Sequence, residues 1–329
     1  MGEGKIMITI VKPGLLTTIQ DLGRYGYQRY GVVVSGAMDS FSVRIANLLV
    51  GNDQNTPVLE ITLIGPTLFF HEDTLISICG SDLAPTVEGK PVQLWRPVLI
   101  KKGRTLKFSI CEVGCRTYLA VAGGFSVKNI MGSSATYIRG KMGGLDGRAL
   151  QANDQLFILP QNEISQKILS MLDRKNTVSW KVPFAIDTNP TIRVVKGHQY
   201  NLFTKESQQG FFESSFQITS DADRMGYRLN GPPLTLSEKE EMISEAIVVG
   251  TIQVTPDGNT VILLADRQTT GGYPKIAQII SVDLPLLAHV KPGETLKFKE
   301  VTLAEAQTLF LQKEQYIHDL RIGIQLKYR

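Results

Sequence analysis

Short β-forming runs bounded by glycine and proline constrain the fold of this chain more than any other feature. The 329 residues include 30 glycines and 15 prolines, spread along the chain without a period. β-Branched and aromatic residues are frequent in the intervals, as in residues 117–121, which lead to Gly123-Gly124. Since many tight turns between short elements are typical of all-β proteins, the pattern predicts a mainly β fold.

Composition and charge exclude several classes of protein. Hydrophobic residues make up 43% and charged residues 20% of the chain, which is the balance of a globular protein of about two domains. No apolar run approaches the ~20 residues that a transmembrane helix requires. The net charge is only +4, and lysine and arginine are dispersed. A nucleic-acid-binding protein would concentrate them in a patch, so we expect neither a membrane nor a nucleic-acid partner.

Cysteine and histidine give little sign of special chemistry. The three cysteines, Cys79, Cys111 and Cys115, are odd in number, and no signal-peptide pattern precedes them. This argues against a disulfide framework and for a cytoplasmic location. The four histidines are scattered without metal-ligand spacing, so we expect no metal site.

Helical periodicity occurs in three places. These segments are residues 39–50, 163–175 and 302–319, the last opening on a Thr302-x-x-Glu305 capping box. A polar interval with prolines at its edges separates two halves of similar size. The predicted organisation is an N-terminal β domain (7–160), a linker with a helix (161–190) and a C-terminal β-barrel domain with a terminal helix (191–329).

The two halves share weak internal similarity. Residues 24–27 resemble 224–227, and residues 103–108 resemble 293–298, in the same order along the chain. Asp82 and Asp266 each follow a strand-like run. The ordered matches favour a duplication in which each half is a β-barrel-like unit.

One polar string stands out as a candidate site. An apolar run delivers Asp266 and Arg267 to its end, and a Thr-Thr-Gly-Gly loop leads on to Tyr273 and Lys275. Arginine suits a carboxylate or phosphate ligand, and an aspartate can orient it or act as a base. Alternatively, the Asp-Arg pair only stabilises a turn. The ligand-binding and the structural interpretation both stay open.

Other polar strings have the same ambiguity. Asp223, Arg224 and Arg228 form either part of a ligand site or a salt-bridge network at a barrel rim. Asp21 and Asp39 fit a turn and a helix cap.

These strings together resemble a known family. They are residues 13–24, 36–39, 46–52, 118–124, 223–229 and 266–274. They are similar to the biotin-dependent carboxyltransferase-like family, which includes the 5-oxoprolinase C subunit, the KipI antagonist and allophanate hydrolase subunit 2. One departure is Gly197-His198-Gln199, where the family commonly has Gly-Pro-Gln.

The resemblance implies two cyclophilin-like β-barrel halves with a few helices. It implies two partners, the A subunit of 5-oxoprolinase and a KipI-like B subunit, in a complex that binds ATP and opens 5-oxoproline to L-glutamate. No biotin is expected on this chain, because it lacks an Ala-Met-Lys-Met acceptor. The alternatives are a regulatory antagonist of a KipI-like kinase inhibitor in sporulation control, or a carboxyltransferase component of a biotin-dependent urea or allophanate pathway.

The resulting site prediction has two parts. The predicted catalytic residues are Asp266, Arg267, Lys275 and Asp223. The predicted substrate-binding residues are Arg224, Arg228, Gln268, Thr269, Thr270, Gly271, Gly272, Tyr273, Gln253, Asp21 and Arg24.

Overall fold

The computed structural model describes residues 6–172, 176–187, 189–238, 240 and 242–328. Contacts within the chain group its residues into two compact units. The first unit contains the described residues of 1–24, 39–186 and 316–329, and the second those of 25–38 and 187–315. The loop 25–38 therefore belongs to the second unit, although it precedes most of the first in sequence.

The first unit contains eleven strands and two α-helices that lie wholly within it among its described residues. They are β1 (Ile6–Lys12), β2 (Leu16–Gln20), α1 (Ser40–Leu49), β3 (Val58–Thr62), β4 (Thr67–Phe70), β5 (Thr74–Gly80), β6 (Thr86–Val87), β7 (Lys90–Pro91), β8 (Pro97–Ile100), β9 (Thr105–Lys107), β10 (Arg116–Val121), β11 (Gln155–Phe157) and α2 (Glu163–Leu172).

These strands form two sheets around one hydrophobic core. The sheet orders are β11-β1-β4-β9-β6-β7 and β2-β3-β10-β5-β8. Side chains from both sheets, including Ile8, Ile61 and Leu119, share the core. Helix α1 packs on β5 and β10, which are buried along their whole length. Asp39 caps this helix, and the Ser77 hydroxyl donates to the carbonyl oxygen of Ala46 at 2.6 Å, which joins the helix to β5.

The second unit contains the remaining elements. They are β12 (Thr191–Lys196), α3 (Lys205–Glu213), β13 (Phe216–Ile218), β14 (Gly226–Asn230), β15 (Glu245–Ala246), β16 (Thr251–Val254), β17 (Thr260–Leu263), β18 (Thr270–Gly271), β19 (Lys275–Ile279), α4 (Leu284–Leu287), β20 (Thr295–Glu300) and the first part of α5 (Leu303–Lys327), whose residues from Tyr316 onward group with the first unit.

Seven of these strands close into a barrel. Their order is β12-β19-β16-β17-β14-β13-β20, and parallel pairing of β12 with β20 completes the circle. The alternation of strand residues is visible in β14, where Tyr227 and Leu229 are buried and Arg228 and Asn230 are exposed. Among the described residues, strands β15 and β18 pair with each other and with no other strand.

The predicted mainly β fold is confirmed, as are the three predicted helices. Of the two barrel-like halves that were predicted, the second contains the closed barrel, whereas the described strands of the first form two sheets. The first helix spans Ser40–Leu49, and the second is described from Glu163 to Leu172, with predicted residues 173–175 outside the described part. The third continues to Lys327, well beyond the predicted end. Helices α3 and α4 were not predicted.

The predicted domain boundaries at residues 160 and 191 stay a prediction. The grouping of contacts differs from them in three places. Residues 25–38 join the second unit, the described residues of 161–186 from the predicted linker join the first, and the end of α5 joins the first. The duplication also stays a prediction. Its best local support is that Gly103 and Gly293 both have positive φ and precede strands β9 and β20. No helix among the described residues is long and apolar enough to span a membrane.

Candidate active site

A buried ion pair organises one end of the barrel in the second unit. Asp266 follows β17, and its carboxylate accepts hydrogen bonds from Arg224 Nε at 3.0 Å and Nη2 at 3.1 Å. The side chains of both residues are only 9% exposed. The Asp266 N–H also donates to the Arg224 carbonyl oxygen at 2.8 Å. This two-pronged contact fixes the guanidinium and the carboxylate in one orientation.

Loop 25–38 completes this ion pair. The Ser35 hydroxyl donates to Asp266 Oδ1 at 2.7 Å, and Arg224 Nη2 donates to the carbonyl oxygen of Gly36 at 2.6 Å. Both oxygens of Asp266 therefore accept hydrogen bonds from the protein, which suits an orienting role better than that of a free base. Sequence reasoning missed Ser35 as a site residue, because 231 positions separate it from Asp266 and no local pattern connects them.

Arg267 is a buried cation in an electrically uncompensated position. It is 7% exposed, and its guanidinium donates only weakly, at 3.4 Å to Ile247 O and at 3.3 Å to Leu264 O. In the part of the chain that the structure describes, no carboxylate lies within salt-bridge distance of it. Burial lowers the pKa of Arg267, and the nearby phenol of Tyr25 opposes this shift. Since an unpaired buried charge is costly, this position favours an anionic ligand.

Lys275 supplies a second cation at the start of β19. Its Nζ lies 3.0 Å from Glu245 Oε2, and Nε2 of His198 lies 3.2 Å from the same oxygen. Lys275 is nearly buried, whereas Glu245 and His198 are largely exposed. The pKa of Glu245 is lowered, first by its hydrogen bond with Lys275 and then by that with His198. Sequence reasoning did not assign Glu245, and it noted His198 only as a departure from the family.

The Thr-Thr-Gly-Gly loop connects these two cations. Gln253 is buried, and its Nε2 donates to the Tyr273 carbonyl oxygen at 3.3 Å. A Cβ added at Gly271 would lie 2.7 Å from that same Nε2, so a larger residue there would displace the Gln253 amide. The predicted residues Gln268, Thr269, Thr270, Gly272 and Tyr273 lie along the same loop and are exposed or half-buried.

Two predicted residues of the second unit have other surroundings. Asp223 is exposed, and its Oδ1 accepts the N–H groups of Met225 and Gly226 at 2.7 and 3.2 Å, the contacts of a turn. Arg228 points outward from β14 into a groove with Asp221 and Asn259. The structure therefore brings together Asp266, Arg224, Arg267, Lys275 and Gln253, and it gives Asp223 and Arg228 separate surroundings.

Asp21 and Arg24 lie in the first unit. Asp21 accepts hydrogen bonds from the Gly23 N–H, the Ser133 hydroxyl and the Ser134 N–H at 2.8, 2.7 and 2.6 Å. Arg24 is fully buried and donates to two carbonyl oxygens of the same loop, those of residues 130 and 135, at 2.9 and 3.0 Å. These contacts hold the loop 130–136, and a ligand-binding role for either residue stays a prediction.

The described residues contain no cluster of histidine, cysteine, aspartate or glutamate arranged to hold a metal ion. The described residues of the site provide two buried cations, one glutamate counter-ion and a glycine-rich backbone. Such a set suits a ligand that carries a carboxylate, a phosphate or a polarised carbonyl group.

Comparison with known proteins identifies the family. The model of the carboxyltransferase domain, subdomains A and B, matches residues 30–300, which includes the whole barrel. This chain belongs to the carboxyltransferase domain family. The predicted resemblance is therefore confirmed.

Relatives within the carboxyltransferase domain family fall into two groups. The chain is 38% identical to the 5-oxoprolinase C subunit of Haemophilus influenzae over 96% of this chain and 98% of the relative. It is 36% identical to the protein of the same name in Escherichia coli K12, over 95% and 97%. It is also 34% identical to urea amidolyase of Saccharomyces cerevisiae over 92% of this chain, but only 17% of that enzyme.

Solved structures of the carboxyltransferase domain family confirm the fold. The urea amidolyase of Kluyveromyces lactis matches 97% of this chain with a TM-score of 0.87 and 29% identity. The urea carboxylase of the same yeast matches equally well, again over 97% of this chain. The chain spans only 20% and 30% of those two structures.

Proposed function

We propose that this chain is the C subunit of an ATP-dependent 5-oxoprolinase, active only within a complex of several subunits. The observation that carries the proposal is the reciprocal coverage of the two relatives with that name. Each is matched over at least 97% of its own length, at 38% and 36% identity. The urea-metabolising relative from baker's yeast is matched over 17% of its length, so its other parts have no counterpart here.

The site chemistry agrees with this reaction. A lactam is an unreactive amide, and transfer of a phosphoryl group to its oxygen makes the ring carbon a better electrophile. One 5-oxoproline, one ATP and two waters would give glutamate, ADP and phosphate. Arg267 and Lys275 would hold the negative charge of the substrate carboxylate or the phosphorylated oxygen. Asp266 would act as a positioning residue, by holding Arg224.

The complex would include the A subunit of 5-oxoprolinase and a KipI-like B subunit. ATP would bind to the complex, and its contacts could lie on this chain or across an interface. We place the complex in the cytoplasm, with 5-oxoproline as the small-molecule substrate. Biotin plays no part in this proposal, and Gly140-Lys141-Met142 is not a biotin acceptor sequence.

The test is reconstitution of the three subunits. The purified complex is expected to form glutamate from 5-oxoproline only when ATP is present, and omission of this chain should abolish the reaction. Turnover by the A and B subunits alone, at the rate of the full complex, would contradict the proposal. Binding of this chain to the B subunit without turnover in the trio would instead favour a regulatory antagonist.

A second candidate is carboxyl transfer from carboxybiotin to urea. It is favoured by the TM-score of 0.87 to the Kluyveromyces lactis urea carboxylase. In that case the biotin carrier and the biotin carboxylase would have to be separate chains. Urea-dependent consumption of carboxybiotin by this chain together with its KipI-like partner would support this candidate, and the absence of such consumption beside active 5-oxoproline hydrolysis would exclude it.

A further inference from the structure

A short segment covers the cationic loop of the barrel. Residues 244–248, which we name the strap, include β15, and β15 pairs with β18 through Glu245 opposite Gly271 and Ala246 opposite Thr270. The Ile247 N–H extends this pairing by donating to the Thr269 carbonyl oxygen at 3.1 Å. The strap therefore lies against the loop that joins Arg267 to Lys275.

The strap brings one acceptor to each cation of the site. The Glu245 carboxylate lies 3.0 Å from Lys275 Nζ, and the Ile247 carbonyl oxygen accepts from Arg267 Nε at 3.4 Å. One acceptor is an anionic carboxylate and the other is the neutral carbonyl of an amide. A cyclic amide that carries a carboxylate, such as 5-oxoproline, has the same two acceptors.

We propose that the strap occupies the ligand site as an internal mimic of the substrate. The Glu245 carboxylate takes the place of the substrate carboxylate at Lys275, and the Ile247 carbonyl takes the place of the substrate amide carbonyl at Arg267. This inference rests on the proposed function, since it assigns the substrate class of the same site. Binding then exchanges one carboxylate for another at Lys275, with no covalent step.

The strap is held weakly enough to be displaced. Of its five residues only Ile247 is buried, and the preceding Ile243 is 84% exposed. Its anchors are the two β15–β18 pairs, the Ile247 N–H bond to Thr269, two hydrogen bonds between Val248 and Thr251, and one buried side chain. A short segment whose residues are mostly exposed opens at lower free-energy cost than the buried barrel strands. Lys275 itself is 7% exposed, so opening the strap would make its amine accessible. A ligand must compete with the closed strap, which lowers its apparent affinity.

The experiment measures the accessibility of Lys275 in the isolated chain. The chain is treated with a lysine-acylating reagent, and the modification of Lys275 is quantified by mass spectrometry for wild type, Glu245→Gln and Glu240→Gln. Glu240 is an exposed glutamate five positions earlier and serves as the matched control. An ion pair with a half-exposed carboxylate contributes little to the free energy that keeps the strap closed. Lys275 should therefore be acylated roughly two- to fivefold faster in Glu245→Gln than in wild type, and at the wild-type rate in Glu240→Gln.

Ligand protection identifies the substrate class. In Glu245→Gln, 5-oxoproline should protect Lys275 from acylation at lower concentration than in wild type. The lactam 2-pyrrolidinone, which has no carboxylate, should not protect it. Equal labelling of all three proteins, or equal protection by both compounds, would overturn the inference.

Kinetics of the reconstituted complex separate this inference from the proposed function. If both are correct, Glu245→Gln should lower the KM for 5-oxoproline by a similar factor, and Glu240→Gln should leave the KM unchanged. Normal turnover of Glu245→Gln with an unchanged KM would overturn the inference about the strap but would agree with the proposed function. Absence of glutamate with every variant would overturn the function, and failure of 5-oxoproline to protect Lys275 would then overturn the substrate assignment as well.

Discussion

Replacement of Asp266 by asparagine tests whether the buried ion pair organises the site. The change removes the charge that faces Arg224 and replaces one acceptor oxygen with an NH2 group, while the Ser35 hydroxyl can still donate to the remaining oxygen. Arg224 keeps its bond to Gly36 O but loses its ionic partner. Removal of one member of a buried ion pair lowers the free energy of unfolding by ~3–5 kcal/mol. Because the contact of Arg224 with Gly36 remains, we expect a loss of about 3 kcal/mol.

The assay must report on the second unit. Both tryptophans, Trp95 and Trp180, belong to the first unit, so their fluorescence is a poor probe of the barrel. Native-state hydrogen exchange in peptides from β14 and β17 measures the free energy of opening directly. Asp221→Asn, an exposed change in the same unit, is the control and should stay within about 0.5 kcal/mol of wild type.

A double-mutant cycle sharpens the result. Arg224→Met removes the other partner, and the double variant with Asp266→Asn should be less destabilised than the sum of the two single changes, by at least ~1 kcal/mol. A cost below about 1 kcal/mol for Asp266→Asn, or simple additivity in the cycle, would refute the reasoning that this pair orders the loop.

Three further predictions concern an unpaired buried cation, a buried hydroxyl and a partly exposed ion pair. Arg267→Met removes an uncompensated buried charge, so the Tm of the chain should stay unchanged or rise. The same variant should reduce glutamate formation by the complex at least ~100-fold. A loss of Tm beyond a few degrees would contradict this prediction. Tyr118→Phe should cost roughly 1–3 kcal/mol in urea unfolding, because the Tyr118 hydroxyl donates to buried Glu60 at 2.9 Å. The hydrogen bonds from Arg148 lower the pKa of Asp154 below its usual 3.8, so they stabilise the fold fully above that pH and lose this effect as the pH falls below it. Arg148→Met should therefore lower the free energy of unfolding by about 1 kcal/mol at neutral pH. A difference in unfolding free energy between the variant and wild type that persists in acid would contradict the role of this ion pair.

Local patterns predicted the features that local chemistry determines. The apolar run before Asp266 marked the strand β17 and the position at its end where polar residues gather. The helix that Asp39 caps was predicted from its spacing, and the same holds for the capping box of α5. Helix α3 was missed because its sequence, residues 205–213, has a weak apolar stripe, although Thr204 caps it with its side-chain oxygen.

Long-range contacts were beyond the reach of sequence patterns. Ser35 lies 231 positions from Asp266, and Glu245 lies 30 positions from Lys275. No local sequence pattern connects either pair. Conversely, Arg24 is a residue that commonly binds anions. In this structure it donates to backbone carbonyls of a loop more than 100 positions away. Whether a buried arginine serves the fold or a ligand depends on its partners, and only the folded structure brings those partners together.

Glutamate formation by the reconstituted complex tests the central claim most directly. The A and B subunits with this chain, supplied with 5-oxoproline and ATP, should release one glutamate for each ATP consumed. The same mixture with Arg267→Met, a variant expected to fold as wild type, should release almost none. Equal glutamate formation with wild type, with Arg267→Met and without this chain would contradict the claim that this chain provides part of the active site.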